Sequence, residues 1–165
     1  MNLNIKVLET NDVTMDYVSW LTDPEVIKYS SNQYKNISFE SQINYVQSCL
    51  DNPNQDLFGI FDQKKHIGNI LIKGFLDIHQ RAEITYLVGD KFYWGKGVGS
   101  FAVSRLIEFG KKKYKLKKLI AGIAHKNIAS KKVLTKNKFE IEGIRPDHLY
   151  LNGKFYDQID FGLLL

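Results

Sequence analysis

Hydrophobic and polar residues alternate along several short stretches of the chain, and turn-forming residues separate these stretches. An alternation with a period of two predicts β-strands. The predicted strands cover residues 3–9, 57–61, 66–75, 81–88, 118–124, 139–151 and 154–164. The last two strands are joined by Asn152-Gly153, a two-residue sequence that strongly favours a β-hairpin turn.

Between these strands, apolar residues recur at spacings of three and four, which predicts amphipathic helices. The clearest set follows a glycine-rich segment directly and comprises Val98, Ala102, Leu106 and Phe109. The other predicted helical segments are one capped by Asp12, a short piece that starts at Asp23-Pro24, residues 38–50 and residues 127–137. Residues 30–36 are polar and irregular, so a loop is predicted there.

The order of these elements predicts a mixed α/β (α+β) architecture, with a central sheet of about seven strands flanked by about four helices. The chain has 165 residues, of which 44% are hydrophobic, so it can bury a sizeable core. No repeat, linker or low-complexity segment interrupts it. Residues 1–165 are therefore predicted to form one domain.

Cysteine content and the N-terminal segment exclude several classes of protein. The single cysteine, Cys49, allows no intrachain disulfide, and no Cys/His cluster has the spacing of a zinc site. Cys49 falls at helical spacing with Val46, which predicts a core residue. The N-terminus lacks a basic region followed by an apolar run, and no segment approaches ~18 consecutive apolar residues. We therefore expect a cytoplasmic protein without a metal or membrane contact.

The formal net charge of +5 is unevenly distributed. Six lysines crowd into residues 111–118, at the predicted end of the helix that begins near Val98. Cations at that end complement the helix dipole. The alternative is a nucleic-acid patch, but Tyr114 is the only interleaved aromatic residue and no RNA-binding signature is present. A nucleic-acid partner is therefore not expected.

The glycine-rich segment Gly95-Lys96-Gly97-Val98-Gly99-Ser100 lies between a predicted strand and a predicted helix. Glycines allow positive φ and close backbone approach, and a helix N-terminus leaves N–H groups unpaired. The segment therefore predicts an anion site, with phosphate as the expected ligand. It matches neither the dinucleotide fingerprint, whose third glycine comes one residue later, nor the P-loop, whose lysine precedes Ser or Thr. The alternative is a turn that binds nothing.

The segment that starts at Trp94 and runs through the three glycines resembles the pyrophosphate loop of the GNAT acetyltransferase superfamily. That loop begins with Gln or Arg, followed after two residues by Gly-x-Gly or Gly-x-Ala. Trp94 stands at its first position, a departure common among the ribosomal-protein N-terminal acetyltransferases. The order of the predicted elements is also that of the GNAT fold. The resemblance covers nearly the whole chain, and the ribosomal-protein-alanine and polyamine acetyltransferase branches are the nearest.

A second segment, residues 127–139, resembles the superfamily motif that begins with Asn and ends with Gly-Phe. It matches the motif at Asn127, Ser130 and Phe139, and Lys138 stands in place of the glycine. The motif implies that the Asn127 amide faces the cofactor cleft. The same side chain can also cap the following helix, and the two roles are compatible.

The resemblance implies an acetyl-CoA-dependent N-acetyltransferase. The strands over residues 81–88 and 118–124 are expected to splay apart, with pantetheine in the gap and a backbone N–H polarising the thioester carbonyl. The residues expected to bind the cofactor are Leu87, Val88, Lys96, Gly97, Val98, Gly99, Ser100, Asn127 and Ser130. Transfer to a primary amine is expected to be direct, in a ternary complex, because Cys49 is the only thiol and is badly placed for a covalent intermediate.

Leu134 occupies the position at which many relatives carry a tyrosine as the general acid for the leaving thiolate. Leucine cannot transfer a proton, so another group must act or the thiolate leaves unaided. Ser130, one helical turn earlier, is the best replacement. The alternative role for Ser130 is a hydrogen bond to coenzyme A.

Two residues are candidates for the general base that takes the proton of the acceptor amine. Glu83 lies on the strand before the glycine loop, and its alternative role is a salt bridge to a neighbouring strand. His148 carries the side-chain type that most often transfers protons in enzymes, and Asp147 could orient it. Its alternative role is an exposed position on the hairpin. Glu83 is slightly favoured, because its strand borders the thioester in this fold.

The acceptor amine is the least specified part of the prediction. A protein N-terminus, an amino sugar (free or nucleotide-linked) and a polyamine are the candidates. Acidic residues near the N-terminus are few and scattered, which disfavours a polyamine, whereas Tyr29, Tyr34 and Tyr45 could stack on a sugar or nucleotide. A non-catalytic acyl-CoA-binding sensor or interaction module is the alternative class, because Leu134 removes the usual acid. A monomer or a homodimer is expected.

Overall fold

Seven strands form one mixed sheet in the computed structural model, which describes residues 1–165. The strands are β1 (Leu3–Val7), β2 (Gln55–Asp62), β3 (Lys65–Lys73), β4 (Arg81–Val88), β5 (Lys118–Ala124), β6 (Glu140–Leu151) and β7 (Lys154–Leu164). Their order across the sheet is β1-β2-β3-β4-β5-β7-β6. The β4–β5 pair is parallel and the other neighbours are antiparallel. The prediction of a mixed sheet of about seven strands is confirmed.

Four α-helices flank this sheet, as predicted. They are α1 (Met15–Thr22), α2 (Phe39–Asp51), α3 (Val98–Lys112) and α4 (Ile128–Lys136). The predicted cap of α1 was wrong. The Thr14 hydroxyl accepts a hydrogen bond from the N–H of Tyr17 at 3.2 Å. The Asp12 carboxylate instead accepts from the N–H of Glu9 at 3.0 Å and forms an ion pair with Lys6 at 2.7 Å. Asp12 therefore closes the short turn before α1 instead of capping the helix itself.

The short helix predicted at Asp23-Pro24 is also absent. Residues 24–29 form consecutive turns, in which the N–H of Ile27 donates to the Asp23 carbonyl at 3.0 Å. One turn fixes several residues for a single hydrogen bond, so a helix that does not continue is unfavourable. Part of the predicted loop over residues 30–36 instead forms a short 3-10 helix, Ser31–Tyr34.

The parallel pair β4–β5 is hydrogen-bonded only at its beginning. Arg81 to Glu83 pair with Lys118 to Ile120, and the strands then diverge. Antiparallel pairing with β3 continues along the other edge of β4 as far as Val88. The last five residues of β4 therefore border a gap in the middle of the sheet, as the predicted splay requires.

The two faces of the sheet are covered unequally. The larger hydrophobic cluster lies beneath α3 and α4, and a smaller one packs α1 and α2 against the half of the other face near β1. Because side chains alternate along a strand, the residues between those of the larger cluster on β4, β5 and β7 point to the α1–α2 face. No helix covers that face beyond β4, and we call this area the open face. Its residues include Glu83, Gly122, Arg145, Gln158 and Asp160.

Candidate active site

The glycine loop adopts the backbone geometry of an anion cradle. Gly95 and Gly97 have φ angles of +72° and +84°, which residues that carry a Cβ adopt only with strain. Gly97 is the N-cap of α3 and makes no side-chain cap. No acceptor within the chain takes the N–H groups of Gly97, Val98, Gly99 or Ser100. These donors converge at the positive end of a 15-residue helix, which favours a phosphate there.

Two predicted ligand side chains in this loop are already engaged by the protein. The Lys96 ammonium lies 3.3 Å from the centre of the exposed Phe92 ring. The Ser100 hydroxyl accepts a hydrogen bond from the Asn137 side-chain amide at 3.0 Å, which ties α3 to the end of α4. The cradle is thus made of backbone groups, and Lys96 must leave Phe92 to reach a ligand.

Leu87 and Val88 border the gap between the split strands, as predicted for the pantetheine site. The Leu87 side chain packs against the cluster beneath α1 and α2. The carbonyl of Val88 accepts a hydrogen bond from the indole N–H of Trp94 at 2.8 Å. Sequence reasoning assigned no contact to Trp94. The indole fixes the glycine loop to the end of β4.

Asn127 and Ser130 lie at the start of α4, on the other side of the gap. The Asn127 side-chain oxygen accepts the N–H of Ser130 at 3.2 Å, and the amide nitrogen has no partner within the chain. This is the N-cap geometry expected, with donors left over for a ligand. Ser130 is half-buried, and its hydroxyl is 2.6 Å from the hydroxyl of Tyr86.

Tyr86 is a functional candidate that sequence reasoning missed. It lies on the splayed part of β4, and burial raises the pKa of its phenol to about 12, although the Ser130 hydrogen bond opposes this. A Cβ added to Gly99 would lie 3.8 Å from its ring, so Tyr86 adjoins the start of α3 as well as α4. The alternation of side chains along β4 could have indicated this position. Tyr86 comes three residues after Glu83, so its side chain lies on the opposite face of the strand.

Leu134 is fully buried in the larger hydrophobic cluster. Its side chain packs in the core one turn after Ser130, and it brings no polar atom to the cleft. The position that often carries a tyrosine acid is therefore part of the packing here. Any proton donor to a leaving group must come from another residue.

Glu83 lies on the open face at the last position where β4 and β5 still pair. It lines a cleft of about 370 Å³ and a neighbouring one of about 590 Å³. Its carboxylate forms an ion pair with Lys73 at 3.1 Å. The salt bridge weighed against catalysis is thus present, at a site that remains accessible from the cleft.

The carboxylates that line these clefts all have basic partners. Arg145 pairs with Asp160 at 2.6 Å and Lys118 pairs with Glu142 at 2.6 Å. Glu83 and Asp77, the other two carboxylates, form ion pairs with Lys73 and with Arg81, the latter at 3.5 Å. The open face is consequently polar but close to neutral.

His148 lies in a bulge of β6, where the pairing with β7 shifts between Arg145 and Leu149. It is exposed and makes no hydrogen bond within the chain. Asp147 does not orient it, since the Asp147 N–H donates to the Asp157 carboxylate at 3.0 Å and its own carboxylate has no bond to His148. The expectation of an Asp147–His148 pair was wrong, because positive φ at Asp147 turns the backbone inside the bulge.

His125 directly follows β5, two residues before Asn127, and contacts the hairpin. Its Nδ1 lies 3.1 Å from the backbone nitrogen and 3.3 Å from the carbonyl oxygen of Asp157. His125 fastens the end of β5 to the hairpin.

The tip of the β6–β7 hairpin is fastened to the segment before α2. The Tyr34 hydroxyl donates to the Tyr150 carbonyl at 2.9 Å, and the Asn152 N–H donates to the Gln33 side chain at 2.7 Å. The Tyr34 and Tyr150 rings stack at 6.5 Å. Tyr29 makes an edge contact with another hairpin ring at 6.3 Å. Tyr29 and Tyr34, considered as sugar-stacking residues, therefore contact the hairpin instead.

The family model for the acetyltransferase (GNAT) domain matches residues 2–140. The chain therefore belongs to the GNAT acetyltransferase family and is an acetyl-CoA-dependent N-acetyltransferase. An uncharacterized N-acetyltransferase, p20, from Bacillus licheniformis is 29% identical over 95% of this chain and 88% of its own length. A probable N-acetyltransferase, YjcK, from Bacillus subtilis is 32% identical over 70% of this chain and 65% of its own length.

Solved structures share the fold over the whole chain. The ribosomal L7/L12 α-N-protein acetyltransferase RimL, in complex with coenzyme A, superposes with a TM-score of 0.88 at 20% identity, covering 100% of this chain and 95% of that one. Spermidine N-acetyltransferase from Vibrio cholerae, in complex with CoA and spermine, gives 0.87 at 19% identity, covering 99% and 95%. The predicted GNAT fold is confirmed.

The residues at the split strands fit acetyl-CoA. Unpaired N–H groups face the place expected for its pyrophosphate, and the free Asn127 amide adjoins the gap. No group of three or more His, Cys, Asp or Glu side chains could hold a metal ion. None of the helices has the length and apolar character needed to cross a membrane.

Proposed function

We propose that this protein transfers the acetyl group of acetyl-CoA directly to the α-amine of a peptide N-terminus bound on the open face. The observation that carries the choice of acceptor is the charge balance of that face. Each carboxylate lining its clefts is paired with a lysine or arginine.

Acetyl-CoA, when bound, supplies an acetyl thioester whose carbonyl carbon an amine can attack. The N–H groups from Gly97 to Ser100 would hold the pyrophosphate, and the Asn127 amide would donate to the pantetheine chain. The backbone of Leu87 and Val88 would border that chain along the unpaired edge of β4. The Trp94 indole uses one of the two acceptor positions of the Val88 carbonyl.

Direct transfer is favoured over a covalent intermediate. The only thiol, Cys49, is 3% exposed and lies on α2 within the smaller hydrophobic cluster. Burial raises its pKa, which keeps it protonated and weakly nucleophilic. The amine and the thioester must therefore meet in one ternary complex.

A peptide N-terminus suits the open face better than a polyamine. A polyamine carries several positive charges and needs carboxylates that are free to pair with them. On this face a polyamine would have to compete with Lys73, Lys118 and Arg145 for their partners. A peptide brings one amine, and its carbonyls can accept from the basic side chains. RimL acts on an α-amine, whereas the Vibrio cholerae relative acts on spermidine.

Glu83 is proposed as the base that takes the proton of the amine. It lies where the strands part, so an acceptor on the open face meets the thioester beside it. Opening of the Lys73 ion pair would free the carboxylate, and the half-exposed lysine can move into solvent. His148 is the weaker candidate, because its ring makes no hydrogen bond within the chain that would fix its position.

Release of free thiol from acetyl-CoA over a panel of amines tests this proposal. We expect short peptides with free N-termini to give a kcat/KM at least ~10-fold above spermidine and glucosamine. N-terminally blocked peptides of the same sequence serve as controls. A preference for spermidine or glucosamine would contradict the assigned acceptor. Absence of thiol release with every amine, in a protein that binds coenzyme A, would favour the sensor.

A further inference from the structure

The hydroxyls of Tyr86 and Ser130 form a hydrogen bond across the gap between the split strands. Tyr86 lies on β4 beyond its last pairing with β5, and Ser130 lies in the first turn of the helix that follows β5. The two oxygens are 2.6 Å apart, although the residues are separated by 44 positions in the chain. No other pair of residues is hydrogen-bonded between residues 85–88 and residues 121–130.

Either hydroxyl can donate across this 2.6 Å contact, and the phenol can also donate to the Ser130 carbonyl at 3.2 Å. Donation by Tyr86 to the Ser130 hydroxyl is the arrangement that leaves Ser130 a free hydrogen. When Tyr86 donates to that hydroxyl, the hydrogen of Ser130 finds no acceptor within the chain. It is then free to be donated to a ligand in the gap.

Burial keeps the phenol in the form that this arrangement needs. With a pKa raised to about 12, Tyr86 holds its proton throughout the neutral range. Its ring adjoins the start of α3, since a Cβ on Gly99 would lie 3.8 Å away. The hydroxyl pair thus lies between the anion cradle and α4.

We propose that Tyr86 is the positioning residue for Ser130, directing the Ser130 hydroxyl toward the sulfur of bound coenzyme A. This inference rests on the proposed acetyl transfer and adds to it Ser130 as the proton donor to the leaving thiolate. The pair takes over the proton donation that a tyrosine performs in many relatives. Here that position holds Leu134, which is buried in the core and has no proton to donate.

The proton transfer balances as follows. As the C–S bond breaks, its electron pair stays on sulfur, and Ser130 gives the sulfur its hydroxyl proton. The Ser130 oxygen takes the proton of Tyr86 in turn. The Tyr86 phenolate recovers a proton from water, and the proton lost by the amine passes through the base to solvent. No oxidant, reductant or further reactant is required.

Calorimetry with coenzyme A and with its desulfo analogue tests the inference without an acceptor amine. A hydroxyl donated to the sulfur should make the wild-type protein bind coenzyme A roughly 10-fold more tightly than desulfo-CoA at mildly alkaline pH. Ser130→Ala and Tyr86→Phe should each reduce this preference to within about 2-fold. Affinity for desulfo-CoA should remain unchanged, which shows that the site is intact.

Tyr114→Phe is the matched control, since the Tyr114 hydroxyl also donates within the chain, to Asp56 far from the gap. It should leave the preference for coenzyme A unchanged. Once an acceptor is known, Tyr86→Phe should lower kcat about 10-fold without changing the KM for acetyl-CoA, and should add little to Ser130→Ala.

A Tyr86→Phe protein that keeps the full preference for coenzyme A would overturn the inference. Equal loss of affinity for both ligands would also overturn it, because it would mean that Tyr86 merely supports the fold. Failure of the proposed acetyl transfer would appear differently, as absence of turnover with every amine while the preference for the sulfur persists.

Discussion

The two halves of this protein are built in different ways. The cofactor half comprises β4, the glycine loop, α3, β5 and α4, which follow one another in residues 81–137. The acceptor half combines α1, α2 and the segment between them with the β6–β7 hairpin, from opposite ends of the chain. Its contacts join residues as far apart as Lys28 and Asn152, 124 positions away.

This difference extends to packing and charge. The cofactor half lies over the larger hydrophobic cluster and offers unpaired N–H groups at a helix end. The acceptor half has the smaller cluster and borders the open face of paired charges, to which β4 and β5 also contribute. His66 of β3 packs against Tyr17 and Trp20 of α1, and its Nδ1 is the one buried side-chain N or O atom without a hydrogen-bond partner. The cofactor is therefore bound by backbone donors, which every sequence has. The face that meets the amine is formed by side chains, which can differ between sequences.

Gly97→Glu should give the largest effect, confined to the cofactor half. The substitution places a bulky anion in the cradle and strains a residue at φ +84°, so coenzyme A affinity should fall roughly 100-fold or more. Gly74→Glu is the control, because Gly74 has a φ of +79° with open space around it and lies outside the loop. Calorimetry showing equal affinity losses in both variants would contradict a specific anion site.

Glu83 and His148 are candidate bases from different halves, since Glu83 lies on β4 of the cofactor half and His148 lies on the hairpin of the acceptor half. If Glu83 is the base, Glu83→Gln should lower kcat about 100-fold with little change in KM, and His148→Gln should have little effect. Lys73→Met removes the ion-pair partner while keeping the carboxylate, so it should retain most of the activity. If neither Glu83→Gln nor His148→Gln loses even ~10-fold, the proton passes to ordered water instead.

The hairpin clamp should affect the acceptor and leave the cofactor untouched. Tyr34→Phe removes the hydrogen bond to the Tyr150 carbonyl and should raise the KM for the acceptor by roughly 5-fold. Coenzyme A affinity should stay the same. Tyr29→Phe is the matched control, because the Tyr29 hydroxyl makes no hydrogen bond within the chain. A change in coenzyme A affinity with Tyr34→Phe would show that the halves are coupled.

His66 provides the smallest test, a slope of stability with pH. Burial lowers its pKa, against the opposing hydrogen bonds to Asn69 and Gly68. The unfolded chain therefore binds a proton more readily than the folded one, and stability should fall as the pH drops below about 6.5. Denaturant unfolding should show a smaller slope in His66→Phe and the wild-type slope in His79→Gln, at an exposed position. An unchanged slope in His66→Phe would show that a group other than His66 causes the pH dependence of stability.

The sequence alone predicted the strands, the four long helices and the glycine loop. These features depend on neighbouring residues: periodicity selects strand or helix, and three glycines at alternate positions leading into a helix define the loop. Errors arose where short polar segments offered several local choices. Thr14 displaced Asp12 as a cap, and the turns after Asp23 did not extend into a helix.

Tertiary structure alone decided which side chains meet. Tyr86 reaches Ser130 because β4 and β5 part after Glu83, and no local pattern encodes the point of divergence. The ion pair of Glu83 with Lys73 follows from the antiparallel register of β3 and β4. A one-residue slip of register would move every such side chain to the other face, so these contacts are set by the packed sheet. The loop that holds the cofactor is local, while the surface that meets the acceptor forms only when distant segments pack together.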